Sequence, residues 1–126
     1  MTYIVDRPDK AVKIAKTLIT DWSKEHCIGL YLNARNNVEK AELISLGTVN
    51  TNIIHPRETF RPALLNSACG VILLHNHPSG DVDPSEDDLK ITKRLKEAGK
   101  ILGIDLIDHI IFSEKKWLSL KERKII

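Results

Sequence analysis

A chain of 126 residues with 19 basic and 17 acidic side chains, a net charge of +2 and 42% hydrophobic residues has the composition of an ordinary soluble protein and the length of one domain with a real core. The near-neutral balance argues neither for nor against an anionic partner, although a dedicated nucleic-acid binder would normally carry a basic stripe, and no apolar run approaches the ~18 residues of a membrane span. Met1 to Arg7 lack a signal-peptide core, and Cys27 and Cys69 have no C-x-x-C partner, so buried, reduced thiols in a cytosolic, cytoplasmic protein are expected.

Ala11, Ile14, Ala15, Leu18, Ile19 and Trp22 lie on one helical face and predict a first helix over about residues 8–22. Cys27 to Leu32 and Val38 to Leu46 read as two strands joined by the asparagine-rich turn 33–37. Gly47 ends the second, and Asn50 to Ile54 reads as a short third strand. Pro56 suits the first turn of a helix that would turn Phe60, Ala63, Leu64 and Ser67 inward and end before Gly70; Pro62 marks a kink or the true start. Val71 to Leu74 is a buried strand. A long helix follows from about Ser85 to Lys100, with Leu89, Ile91, Leu95 and Ala98 in reach of the core and Gly99 and Gly103 as stop signals. Asp105 to Ser113 is a strand, and Trp117 to Leu120 a last one. The fold class is α/β, a mixed β-sheet flanked by helices.

The segment from His75 to Asp88 carries the pattern H-x-H-(x7)-S-x-x-D. Two imidazoles and one carboxylate are the ligand set of a catalytic zinc that keeps a position open for water, and histidines two apart on a strand end project from one face. The same residues also make a good helix start, with Ser85 as N-cap, acids in the first turn and Asp88 closing a capping-box-like turn. The two readings are compatible, because Asp88 one turn in can swing back to a metal on the preceding strand. Asp81, Asp83, Glu86 and Asp87 are alternative ligands. Asn76 and Ser79 either orient the histidines or simply form the turn. His109 beside Asp108 either supports the site or is a hydrogen-bonded structural residue; His26 and His55 read as structural or exposed.

The segment resembles the JAMM (MPN+) metalloprotease motif, and Asn76 with Pro78-Ser79-Gly80 resembles the RadC branch. The resemblance runs on through Arg57-Glu58, Ala98-Gly99, Leu102-Gly103-Ile104 and Asp108-His109-Ile110-Ile111. It implies a JAMM/MPN fold with the three-layer arrangement of cytidine deaminases, and one zinc per chain held by His75, His77 and Asp88. It further implies that Ser85 stabilises an oxyanion and that Glu25, ahead of Gly29-Leu30, is the base; Glu39, Glu42 and Glu58 are rivals. The family usually carries an N-terminal helix-hairpin-helix region; none is read in this sequence, so residues 1–126 are expected to be a single domain, either a short form or the catalytic-type domain alone.

The implied reaction is hydrolysis of a peptide or isopeptide amide in a protein substrate. H-E-x-x-H, P-C-x-x-C and Walker-type loops are all absent, which excludes zincins, nucleobase deaminases and P-loop enzymes. Two other classes remain: a DNA repair factor using the basic clusters around Lys93, Lys115 and Lys121, and a non-catalytic interaction module. No membrane partner is expected, and the sequence does not fix an oligomeric state.

Overall fold

The computed structural model of the protein describes residues 3–47 and 54–126. Among these the elements run α1 (Pro8–Lys16), β1 (Glu25–Leu32), β2 (Val38–Gly47), α2 (Pro56–Leu65), β3 (Gly70–Asn76), α3 (Glu86–Leu102), β4 (Asp105–Phe112) and β5 (Trp117–Ser119). The expected strand 50–54 falls mostly outside the described residues; Ile54 is described, buried and in no strand.

The run Gly70–Asn76 is buried at every position, as a strand covered on both faces must be, and it takes the centre of a sheet ordered β2-β1-β3-β4-β5. β1 pairs antiparallel with β2 and β3, β4 runs parallel to β3, and β5 is antiparallel to β4. The parallel pair needs a crossover, which α3 supplies. Alternation along the strands divides the core into two layers. Ile28, Leu30, Leu32, Ile72, Leu74, Ile110 and Phe112 face α1 through Ala11, Val12 and Ala15. Cys27, Tyr31, Val71 and Leu73 face α2 and α3 through Phe60, Ala63 and Leu95. This is the expected three-layer α/β arrangement.

A bulge in β4 sets one feature of the site. The β3–β4 register jumps from Val71↔Leu106 to Ile72↔Asp108, leaving Ile107 as the extra residue. Leu106 packs in the α2/α3 layer. Strict alternation would turn His109 to the α1 side, but the extra residue reverses the phase, and His109 faces α3.

Several local expectations change. The first helix ends at Lys16, yet Leu18, Ile19 and Trp22 still pack on the α1 core; the apolar face continues through turns rather than helix. In α2 the buried residues are Thr59, Phe60, Pro62 and Ala63, whereas Leu64 is 59% exposed and Ser67 lies beyond the helix. Pro62 sits inside α2, neither starting nor ending it. Leu89 is exposed on α3. Cys27 is buried as expected, but Cys69 is exposed. β4 stops at Phe112 and β5 at Ser119, each one residue short of its expected end.

Gly99 does not stop α3. It is buried within the helix, and a Cβ there would collide with the Ile104 carbonyl and crowd the Phe60 ring. The stop is Gly103, whose φ of 74° is left-handed and which donates to Gly99 O. Gly99→Ala is expected to cost about 1–3 kcal/mol through overpacking against backbone, and Gly103→Ala about 1 kcal/mol through strain alone. Urea denaturation of the two variants checks the order; equal losses would contradict the close approach at Gly99.

Candidate metal centre

The β1–β3 ladder ends at the pair Cys27↔His75. His75 continues the row Val71-Leu73 on the α2/α3 face and is 1% exposed. One residue beyond β3, the His77 N–H donates to Phe112 O (3.2 Å), extending the attachment to β4. His77 therefore stays in extended register and projects beside His75, the two Nε2 atoms 3.0 Å apart.

The following turn fixes the second ring. Gly80 N–H donates to His77 O (3.0 Å), and the positive φ of Gly80, 88°, turns the chain so that Asp81 O lies 2.8 Å from His77 Nδ1. A carbonyl only accepts, so Nδ1 carries the proton and Nε2 keeps its lone pair.

α3 brings the carboxylate. Ser85 is its N-cap, and the capping box is complete: Asp88 N–H donates to Ser85 Oγ (3.1 Å), and Ser85 N–H donates to Asp88 Oδ2 (2.8 Å). The same carboxylate places Oδ1 3.1 Å from His75 Nε2 and Oδ2 3.1 Å from His77 Nε2. Helix cap and candidate ligand are thus one residue in one conformation. Burial opposes its charge, but the two imidazoles of His75 and His77 beside it, and then the Ser85 N–H, outweigh this and hold the Asp88 carboxyl well below the usual carboxylate range. Burial also disfavours a charged His77, yet the Asp88 hydrogen bond and the Asp81 carbonyl overcome it and raise its pKa.

Glu25 opens β1, its Oε1 3.8 Å from His75 Nε2. Glu25, His75 and His77 present ligand atoms within 4.8 Å of one another. A bare ring nitrogen and two carboxylates converging on a second imidazole form a donor set that a cation satisfies and that neutral hydrogen-bond donors do not. The residues present therefore fit a metal ion.

Asn76 does not touch the histidine rings. It points to the other face of β3, where its Oδ1 accepts from His26 N–H (2.6 Å) and its Nδ2 donates to Lys24 O (2.9 Å). Both contacts flank Glu25, so the side chain replaces the ladder where the β1–β3 pairing has ended. His26 is buried and structural, with Thr20 N–H donating to its Nε2 (3.2 Å) and its Nδ1 donating to Lys24 O (3.0 Å). Ser79 Oγ accepts from Asp81 N–H (3.3 Å) and belongs to the turn. Asp81, Asp83, Glu86 and Asp87 are exposed, and Asp81 serves through its carbonyl. Glu39 is engaged with Asn33, and exposed Arg57 makes no ion pair among the described residues.

Behind the site lie two buried residues, His109, which sequence reasoning left open, and Thr92, which it missed. His75 Nδ1 lies 2.8 Å from His109 Nε2, and His109 Nδ1 lies 2.5 Å from Thr92 Oγ1. Burial, and then the proximity of His75, hold the His109 pKa well below its ordinary value. The spacing of Thr92, one helical turn after Asp88, was the available signal.

Asn76→Ala is expected to cost about 1–3 kcal/mol, because it strands the buried His26 N–H and removes one of the two donors to Lys24 O, and to loosen the start of β1. Amide hydrogen exchange at His26 checks this; unchanged protection there would contradict the bridging role.

The sequence model of the RadC-like JAB domain matches residues 5–125. A UPF0758 protein of Chlorobium chlorochromatii is 53% identical over 108 residues, covering 86% of this chain and 49% of the relative. One of Shouchella clausii is 46% identical over 120 residues, covering 95% and 52%. One of Methanococcoides burtonii is 52% identical over 103 residues, covering 82% and 45%. The chain spans about half the length of these curated relatives. Matched from Val5 to Ile125, it belongs to the RadC-like JAB domain family.

Proposed function

We propose that the chain is a zinc-dependent metallohydrolase of the JAMM type, cleaving a peptide or isopeptide amide with one zinc per chain. The observation that carries this reading is the convergence of two imidazole Nε2 atoms and two carboxylates at a strand end. The distances favour a division of labour. Asp88 reaches both histidines at 3.1 Å and suits a ligand with His75 and His77. Glu25 stands back at 3.8 Å from His75 and suits a base.

Zinc bound there would supply a Lewis acid that acidifies water and polarises a carbonyl. Glu25 takes the proton of the attacking water and returns it to the leaving amine. The Ser85 hydroxyl accepts from Asp88 N–H, which leaves its own hydrogen to donate to the oxyanion. A groove of about 730 Å³ beside His77, between Trp22 and the Ser113–Lys116 turn, and a second beside Glu25, Ile54 and Arg94, flank the centre. An extended segment laid across both would put its amide over the histidines. One groove is lined by His77 and the other by Glu25 and Asp88, so both border the same centre, which suits an extended peptide.

Elemental analysis is expected to find about one zinc per chain, lost in His77→Ala and Asp88→Ala and kept in Glu25→Gln. In a peptide-library screen Glu25→Gln is expected to lower kcat by about 10²–10⁴-fold. Zinc retained in both ligand variants, or full activity in Glu25→Gln, sinks the assignment.

Metal and proton compete for His77 Nε2, and the raised pKa of His77 favours the proton to higher pH than in a free histidine, about 6.5. Zinc affinity is therefore expected to climb as pH rises through and above that value; equilibrium dialysis across the range, giving a flat profile, would contradict the role of His77.

A further inference from the structure

Thr92 and His109 lie behind the proposed ligands and touch neither metal space nor solvent: they are 2% and 0% exposed. Their contacts form a directed chain. Thr92 Oγ1 is 2.7 Å from the Asp88 carbonyl oxygen, which can only accept, so the hydroxyl hydrogen is committed there. The same Oγ1 then accepts from His109 Nδ1. The His109 ring is fully buried and its partners are a hydroxyl and an imidazole rather than a carboxylate, so with its proton on Nδ1 it keeps Nε2 bare to accept from His75 Nδ1 across 2.8 Å. His75 consequently has no proton on Nε2. Reversing the chain would leave two oxygen lone pairs facing each other at 2.7 Å and put a proton on the very nitrogen that faces Asp88 and His77.

We propose that Thr92 and His109 are positioning residues that fix the orientation and tautomer of His75 for metal binding, with the Asp88 main chain as the origin of the relay. The proposal rests on reading the centre as a metal site. It deepens that reading in one respect: two ligands are tied to each other from behind. Asp88 faces His75 Nε2 through its carboxylate and governs His75 Nδ1 through its carbonyl, Thr92 and His109. His77 receives the equivalent instruction from a single carbonyl, that of Asp81. His75 is buried within the sheet, beyond direct reach of such a turn, and needs the two intermediaries. The chain closes only because the bulge at Ile107 turns His109 toward α3 and because Thr92 follows Asp88 by one helical turn. Outer partners of this kind commonly set ligand tautomer and basicity.

Two measurements test the relay. Long-range proton–nitrogen NMR of the zinc-loaded protein is expected to show His109 protonated at Nδ1 and bare at Nε2. Thr92→Val keeps shape but deletes the hydroxyl; its zinc affinity, read by competition with a chromophoric chelator, is expected to fall about 10–100-fold, with Thr92→Ser within about threefold of wild type. A His109 proton on Nε2, or wild-type zinc affinity in folded Thr92→Val, overturns the relay while leaving the metal site intact. If Thr92→Val does not fold, the wild-type His109 tautomer and Thr92→Ser decide: a serine variant that loses affinity as a non-conservative change would overturn the role of the hydroxyl. A wild-type protein that binds no zinc overturns both the relay and the metal reading.

Discussion

The pairing of β1 with β3 ends at Cys27 and His75, and the site is built from what replaces it. An antiparallel ladder that continued would bury the strand ends in each other. Instead the Asn76 side chain holds β1 from one side, while the His77 N–H holds β3 to β4 from the other. The two attachments part the sheet at one end while giving the His26 N–H, the Lys24 carbonyl and the His77 N–H their partners. Into the gap come Glu25 from β1, His75 and His77 from β3, and Asp88 from the start of α3. Strand ends in α/β sheets commonly hold ligands for this reason.

The parts of this arrangement legible in the sequence are local ones. His75 and His77 share a face because strand side chains repeat every two residues, and Ser85 and Asp88 meet because they are one helical turn apart. Both relations survive from sequence to structure. Glu25 is fifty positions from His75, and only a resemblance singled it out. Asn76 looked like a companion of the histidines because it stands between them, yet alternation sends it to the opposite face. His109 could not be aimed from sequence, since the extra residue at Ile107 reverses the alternation that any reading must assume.

Helix limits failed for a different reason. Leu18, Ile19 and Trp22 keep the helical spacing because burial selects them, but turns satisfy the same burial. Leu64 and Ser67 have the spacing without the burial. Gly99 carries the composition of a stop and serves close packing instead. In each case periodicity reported which surface is covered, not which backbone covers it.

Asp108, buried, and Asp88, half-buried, differ in their partners. Burial raises the Asp108 pKa, opposed by the Ser119 hydroxyl and by the N–H groups of Lys121 and His109, all at hydrogen-bond distance. It is an internal fastener between β4 and the C-terminal turn. Asp88, by contrast, faces two imidazoles.

The Asp88 carboxylate also closes the capping box of α3, and this joins two otherwise separate equilibria. The oxygen that accepts from Ser85 N–H is the one beside His77. Whatever draws charge toward the histidines changes how firmly the first turn of α3 is held, and fraying of that turn withdraws a carboxylate from the centre. An ion bound at the centre would therefore be thermodynamically linked to the helix start, each firming the other.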